Sequence, residues 1–109
     1  MNSKQAIDAL GSLAQEHRLA IFRLLVVAGQ DGLAAGIIAE KLEVPPSSLS
    51  FHLAHLTRAG LLGQERQSRT LIYRANYGAM NELVAYLLEN CCAGDACAVD
   101  LIAARGACK

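Results

Sequence analysis

Cys91, Cys92 and Cys97, in the run Asn90-Cys-Cys-Ala-Gly-Asp-Ala-Cys97, put three thiols into one short stretch, with Cys108 further along. Thiolate sulfur is a soft donor, so adjacent cysteines with a third close by suit a soft, thiophilic ion that takes three sulfurs. Neighbouring residues of a regular helix point about 100° apart, so Cys91 and Cys92 share one ion easily only where a helix loosens. Asn90 and Gly94 favour such an ending, and Gly94 lets the chain turn back to bring Cys97 onto the pair. Cys108 is a substitute ligand, a handle for the tail, or without a role. Structural zinc would use all four thiols, although the spacing is unlike paired C-x2-C units. A redox switch would instead join Cys97 or Cys108 to the pair as a disulfide. Thiol catalysis is rejected, because it needs an activated thiolate at a helix start beside an anion-cradling loop. These cysteines follow a helix end, where the dipole disfavours a thiolate, and His17 has no evident partner.

The elements that lead to this cluster are legible from periodicity. Asn2 or Ser3 caps a first helix to about Leu13, with Ile7, Leu10 and Leu13 at helical spacing. A second helix spans about Gln15 to Ala28; its run Leu19–Val27 is apolar nearly all round, which predicts a central position. Gly29-Gln-Asp-Gly32 stops it. Ala34–Leu42 reads as a short third helix with Ile37, Ile38 and Leu42 inward, and Glu43-Val-Pro-Pro46 as a turn. Ser47–Ala59, closed by Gly60, completes a helix-turn-helix pattern.

On that fourth helix Leu49, Leu53 and Leu56 form a buried stripe. Ser47, Ser48, Phe51, His52, His55 and Arg58 are assigned to the opposite side, with residue types that reach base edges and phosphates in a major groove. An ordinary solvated face would carry Lys and Glu, which are absent here. Leu61–Arg66 and Thr70–Ala75 flank Gln67-Ser-Arg69 as a β-hairpin with a basic tip, in which Arg66 and Arg69 can enter a minor groove or grip phosphate. Asn76 or Tyr77 opens a last helix to about Asn90, with Met80, Leu83, Val84, Leu87 and Leu88 on one side.

Hydrophobic residues make up 53% of the 109 residues, more than a monomer of this size hides readily. The surplus points to a symmetric homodimer through the first and last helices, with Ile7, Leu10, Met80, Leu83, Val84 and Leu87 at its interface. Such a dimer sets two recognition helices ~34 Å apart. Net charge is zero, but residues 45–74 carry Arg58, Arg66, Arg69 and Arg74 against Glu65 alone. A local basic patch is enough to place phosphates. No stretch is apolar enough to span a bilayer, and Met-Asn-Ser-Lys-Gln-Ala-Ile-Asp has no signal-peptide core, so the expected location is the reducing cytoplasm. There, cysteines serve as ligands or sensors more often than as structural disulfides.

In this order, with the stretches Leu13-Ala-Gln-Glu-His-Arg-Leu-Ala-Ile-Phe-Arg-Leu-Leu25, Ile38-Ala-Glu-Lys-Leu-Glu-Val-Pro-Pro-Ser-Ser-Leu-Ser-Phe-His-Leu53 and Arg66-Gln-Ser-Arg-Thr-Leu-Ile-Tyr73, the chain resembles the ArsR/SmtB family of winged-helix repressors. The resemblance implies a mainly helical fold with a β-hairpin wing, a homodimer, double-stranded operator DNA as partner, and release from DNA when an effector binds. Residues 1–90 would form the DNA-binding and dimerisation domain, and residues 91–109 an effector segment. The Cys-x-Cys at the helix-turn-helix of founding arsenic sensors is replaced here by Glu43, Val44 and Pro45. Nor do Asn76, Tyr77, Asn81 and Glu82 supply the Asp/His set of the zinc sensors. Ser68 also stands where the wing tip of relatives often has Gly. Cys91 and Cys92 resemble instead the arsenic-responsive subgroup with C-terminal thiols. Trivalent arsenic or antimony, which takes three thiolates in a pyramid, then fits Cys91, Cys92 and Cys97, whereas a methylated arsenical needs two of them. Redox or zinc sensing on the same fold is the alternative.

Overall fold

The computed structural model describes residues 1–89. Helix α1 covers Ser3–Leu13, α2 Glu16–Ala28, α3 Ala35–Leu42, α4 Pro46–Arg58 and α5 Tyr77–Leu87. Strands β1 (Leu33–Ala34), β2 (Leu62–Gln67) and β3 (Thr70–Ala75) form one antiparallel sheet in the order β1-β3-β2.

Local chemistry explains most boundaries. Asn2 caps α1 in a reciprocal box: its Oδ1 accepts from Gln5 N at 2.8 Å, and Gln5 Oε1 accepts from Asn2 N at 2.9 Å. Gln15, extended at φ −152° and ψ 135°, breaks α1 from α2 and accepts the Arg18 amide at 3.0 Å. Pro46 occupies the first turn of α4, where a missing amide proton costs nothing. At the other end Gly60 (φ +84°) closes α4: its amide donates to Thr57 O, and the Leu61 amide reaches back to Leu56 O at 3.0 Å. Asn76 caps α5 by accepting from Ala79 N at 3.1 Å and donates Nδ2 to Gly60 O at 2.9 Å, tying α5 to the end of α4.

Ile21, Leu25, Ile38, Leu49, Leu53, Leu56 and Leu61 are the centre of the core. Burying each is worth roughly 1.5–3 kcal/mol over leaving it exposed. The stripe expected on α4 is therefore present.

Other expectations are corrected. Helix α2 is not enclosed: Ile21, Phe22 and Leu25 are buried, but Leu19, Val26 and Val27 face outward, Val27 being 84% exposed. Among the described residues only one side of the helix is covered, so apolar residues all round it are not all buried. Residues 33–34 pair with Tyr73 and Ile72 as a short strand, so α3 starts one residue later than Ala34, and Ile37 is exposed rather than inward. Helix α5 ends at Leu87, where Leu88 leaves helical backbone. Leu83, expected at a subunit interface, is 2% exposed and lies in this chain's own core, because its side of α5 packs onto the domain.

Candidate nucleic-acid interface

Helix α4 shows solvent a band that includes Ser47, Ser48, Ser50, Phe51, Ala54 and Arg58. Ser47, Ser50, Phe51, Ala54 and Arg58 recur at three- and four-residue steps, so they share one side of the helix. Ser50 and Ala54 escaped the sequence reading, although the same spacing from Ser47 includes them. A cleft lined by Ser50, Ala54, Arg58, Gln64 and Tyr73 joins this band to the sheet. Beyond it the wing runs in register from Leu62↔Ala75 to Gln67↔Thr70, leaving Ser68 and Arg69 as its tip. Ser68 takes the left-handed conformation, φ +61°, which glycine adopts without strain.

The cations divide into free and occupied groups. Arg58, Arg66 and Arg69 are exposed and make no ion pair among the described residues. Arg74 is occupied: Nη1 lies 2.7 Å from Glu65 Oε1, and Nε donates to Gln30 O at 2.6 Å, holding β3 against the turn after α2.

His52 and His55 do not sit where the sequence placed them. His52 is 8% exposed, because position 52 is three residues after Leu49 and four before Leu56, on the buried stripe itself. Its Nδ1 lies 3.3 Å from Arg18 Nη1, and its ring centroid 5.5 Å from that of His17. Burial first, then the charges of Arg18, His17 and His55, lower its pKa below the usual histidine value. His55 is half-buried, with Nδ1 3.0 Å from Ser12 Oγ. Phe51 meets both rings in edge-to-face fashion, with centroids 5.6 and 6.1 Å apart, while remaining 59% exposed. The two histidines thus face the junction of α1 and α2.

On α1 and α5, Ile7, Leu10 and Leu87 are exposed by 65%, 42% and 55%, and Met80 and Val84 are half-buried. Cys91, Cys92, Cys97 and Cys108, with the whole 91–109 segment, lie outside the described residues. Among the described residues no group of three His, Cys, Asp or Glu is placed to hold a metal ion, and no helix is long and apolar enough to cross a membrane.

Helix-turn-helix, wing and a band of exposed arginines define a winged helix-turn-helix DNA-binding protein. A family described as a helix-turn-helix domain matches residues 13–65. The transcriptional activator HlyU of Vibrio cholerae serotype O1 is 31% identical over 86 residues, covering 79% of this chain and 77% of that protein. The solved structure of HlyU from Vibrio cholerae N16961 matches with a TM-score of 0.62 at 36% identity, over 79% of this chain and 94% of that one. A possible transcriptional regulator for arsenical resistance matches with a TM-score of 0.65 at 28% identity, over 73% and 80% of the two chains. An ArsR-like regulator from Rhodococcus sp. RHA1 shares the fold with a TM-score of 0.70 over 97% of this chain and 94% of that one, at 24% identity.

The chain belongs to the ArsR/SmtB family of winged-helix transcriptional regulators. It is a DNA-binding regulator rather than an enzyme.

Proposed function

We propose that this regulator is a homodimeric repressor that holds operator DNA until trivalent arsenic binds Cys91, Cys92 and Cys97. Ser47, Ser48, Ser50 and Phe51 meet base edges in the major groove, Arg58 meets phosphate, and Arg66 and Arg69 grip the adjacent backbone or minor groove. Two protomers join through Ile7 and Leu10 of α1 and Met80, Val84 and Leu87 of α5. The observation that carries the effector reading is one of placement: the thiols begin four residues after the end of α5, whose Leu87 is an exposed apolar residue. Ligand-driven rearrangement of Cys91, Cys92 and Cys97 would pull on the end of the helix that joins the subunits and change the separation of the two reading heads. A coupling of ~1–3 kcal/mol is usual for two linked sites, and it releases DNA where repressor concentration lies near its operator affinity. The relative described for arsenical resistance supports the choice of ligand. Antimony takes the same three sulfurs, and a methylated arsenical would use Cys91 and Cys92.

The test is binding of the reduced protein to the DNA just upstream of its own gene, with and without arsenite, at fixed salt and free of zinc. Release by arsenite in the parent, lost in Cys91→Ser, is the expected result. Release that survives Cys91→Ser refutes the ligand assignment. Release by oxidation alone moves the thiols to a redox role, and release by zinc to zinc sensing. Sedimentation of the parent beside Ile7→Glu tests the interface: a dimer that becomes monomeric is expected, and an unchanged dimer refutes it.

A further inference from the structure

Helix α4 is fastened to the rest of the domain by polar contacts as well as by its leucines, and these contacts converge on the α1–α2 junction. Arg18, in the first turn of α2, donates Nε to the Ser12 carbonyl at 2.7 Å, so it grips the last turn of α1. The same guanidinium reaches His52 Nδ1 at 3.3 Å. Ser12, fully buried, meets His55 Nδ1 through its hydroxyl at 3.0 Å. Two imidazoles of the recognition helix are thus answered by one serine from α1 and one arginine from α2.

The chemistry of the Arg18–His52 contact restricts its protonation. A guanidinium carries only donors, so His52 Nδ1 must offer a lone pair, which requires a neutral ring with its proton on Nε2. An imidazolium has donors at both nitrogens and would face Arg18 as a second cation. His55 is different: Ser12 Oγ either donates to Nδ1 or accepts from it, so that contact survives protonation.

We propose that Arg18 and Ser12 are positioning residues for DNA recognition, orienting α4 through His52 and His55, and that the joint closes only while His52 is neutral, so operator affinity falls on acidification. The proposal rests on α4 being the DNA-reading helix. The charged and titratable groups around the joint are His17 and Arg18 from α2, His55 on α4 itself, and Asp8 of α1, which lines the cleft beside His55 and Arg58. Asp8 is paired with Lys4 at 3.2 Å, and no carboxylate among the described residues makes an ion pair with His52 that would favour its cation. Burial and the neighbouring cations push the ring toward its neutral form.

The sign of the pH dependence separates this role from direct contact. Histidines that touched bases or phosphates would gain charge on acidification and strengthen DNA binding. In a joint, the open form takes up the proton. Affinity is then full above the ordinary histidine range and falls as pH drops through the lowered pKa of His52. One proton per protomer limits the slope to about tenfold per pH unit per protomer.

The experiment titrates the reduced full-length chain onto the DNA upstream of its gene at pH 7.5 and 5.5, at one ionic strength, with thermal melts at both pH values. His52→Asn keeps an acceptor near the Nδ1 position and removes the titration. Arg18→Met removes the donor. Parent affinity is expected to drop roughly tenfold or more at pH 5.5. His52→Asn should bind like the parent at pH 7.5 with a flattened profile, and Arg18→Met should bind weakly at both. Parent affinity that holds or rises in acid overturns the proposal, as does a His52→Asn profile identical to the parent's. If Arg18→Met fails to fold, the comparison of parent with His52→Asn decides alone. Absence of DNA binding by the parent at both pH values would remove the operator reading and this proposal with it, whereas pH-insensitive binding removes the joint alone.

Discussion

Replacing Arg69 by alanine at the wing tip, beside a control at Arg74, tests the interface quantitatively. Arg69 stands in the two-residue tip between Gln67 and Thr70, exposed and free of ion pairs among the described residues. Arg74 lies on the same hairpin but is held by Glu65 at 2.7 Å and the Gln30 carbonyl at 2.6 Å, so it has little freedom to meet DNA. A dimer presents two wings, so Arg69→Ala removes two cations. If each neutralises one phosphate, the slope of log affinity against log salt becomes shallower by about 1.8, from 0.9 per released counterion. Over a fourfold change from 50 to 200 mM salt, the deficit of the variant relative to the parent then shrinks about twelvefold. Anisotropy titrations of an operator duplex and an unrelated duplex across this range read the slope, and the loss should be similar on both. Arg74→Ala should leave the slope unchanged and instead lower stability by about 1 kcal/mol. That loss comes mainly from the hydrogen bond to Gln30, since the ion pair with Glu65 is solvent-screened. An unchanged slope in Arg69→Ala, or an equal loss of slope in Arg74→Ala, refutes the assignment of the wing.

Two further substitutions probe the backbone that carries this interface. Gly32→Ala should cost roughly 2–4 kcal/mol in urea unfolding, because the residue has φ +66° and an added Cβ would lie 2.5 Å from the Tyr73 carbonyl oxygen. Ser68→Gly should raise the unfolding free energy by about 0.5–1 kcal/mol by relieving a left-handed serine (φ +61°), less the entropy that glycine adds to the unfolded chain. Operator affinity should be unaffected by that change, since Arg69 keeps its place; a large loss would show that Ser68 itself meets DNA.

Elements whose signals are local are legible in the sequence. Asn2, Gln15, Gly60 and Asn76 mark helix ends through capping bonds to residues a few positions away, and Pro46 marks one through its fixed φ and missing amide proton. Leu49, Leu53 and Leu56 declare the inner side of α4, and Thr70–Tyr73 declares the wing strand. Tertiary structure decided what depends on remote partners. The two-residue strand β1 has no period of its own and exists because Tyr73 and Ile72 lie beside it. Leu19 and Val27 look no different from Ile21 and Leu25 until the packing shows which side of α2 is covered. Leu83 shares a helical side with the exposed Leu87, yet the domain already encloses it. His52 is the instructive case: helical spacing puts it beside Leu49 and Leu56, but its polar ring made an outward position plausible. A buried imidazole needs a partner, and the partner is Arg18, thirty-four residues earlier in the chain. Local spacing specifies which residues share a side of a helix; only the folded chain supplies what that side meets.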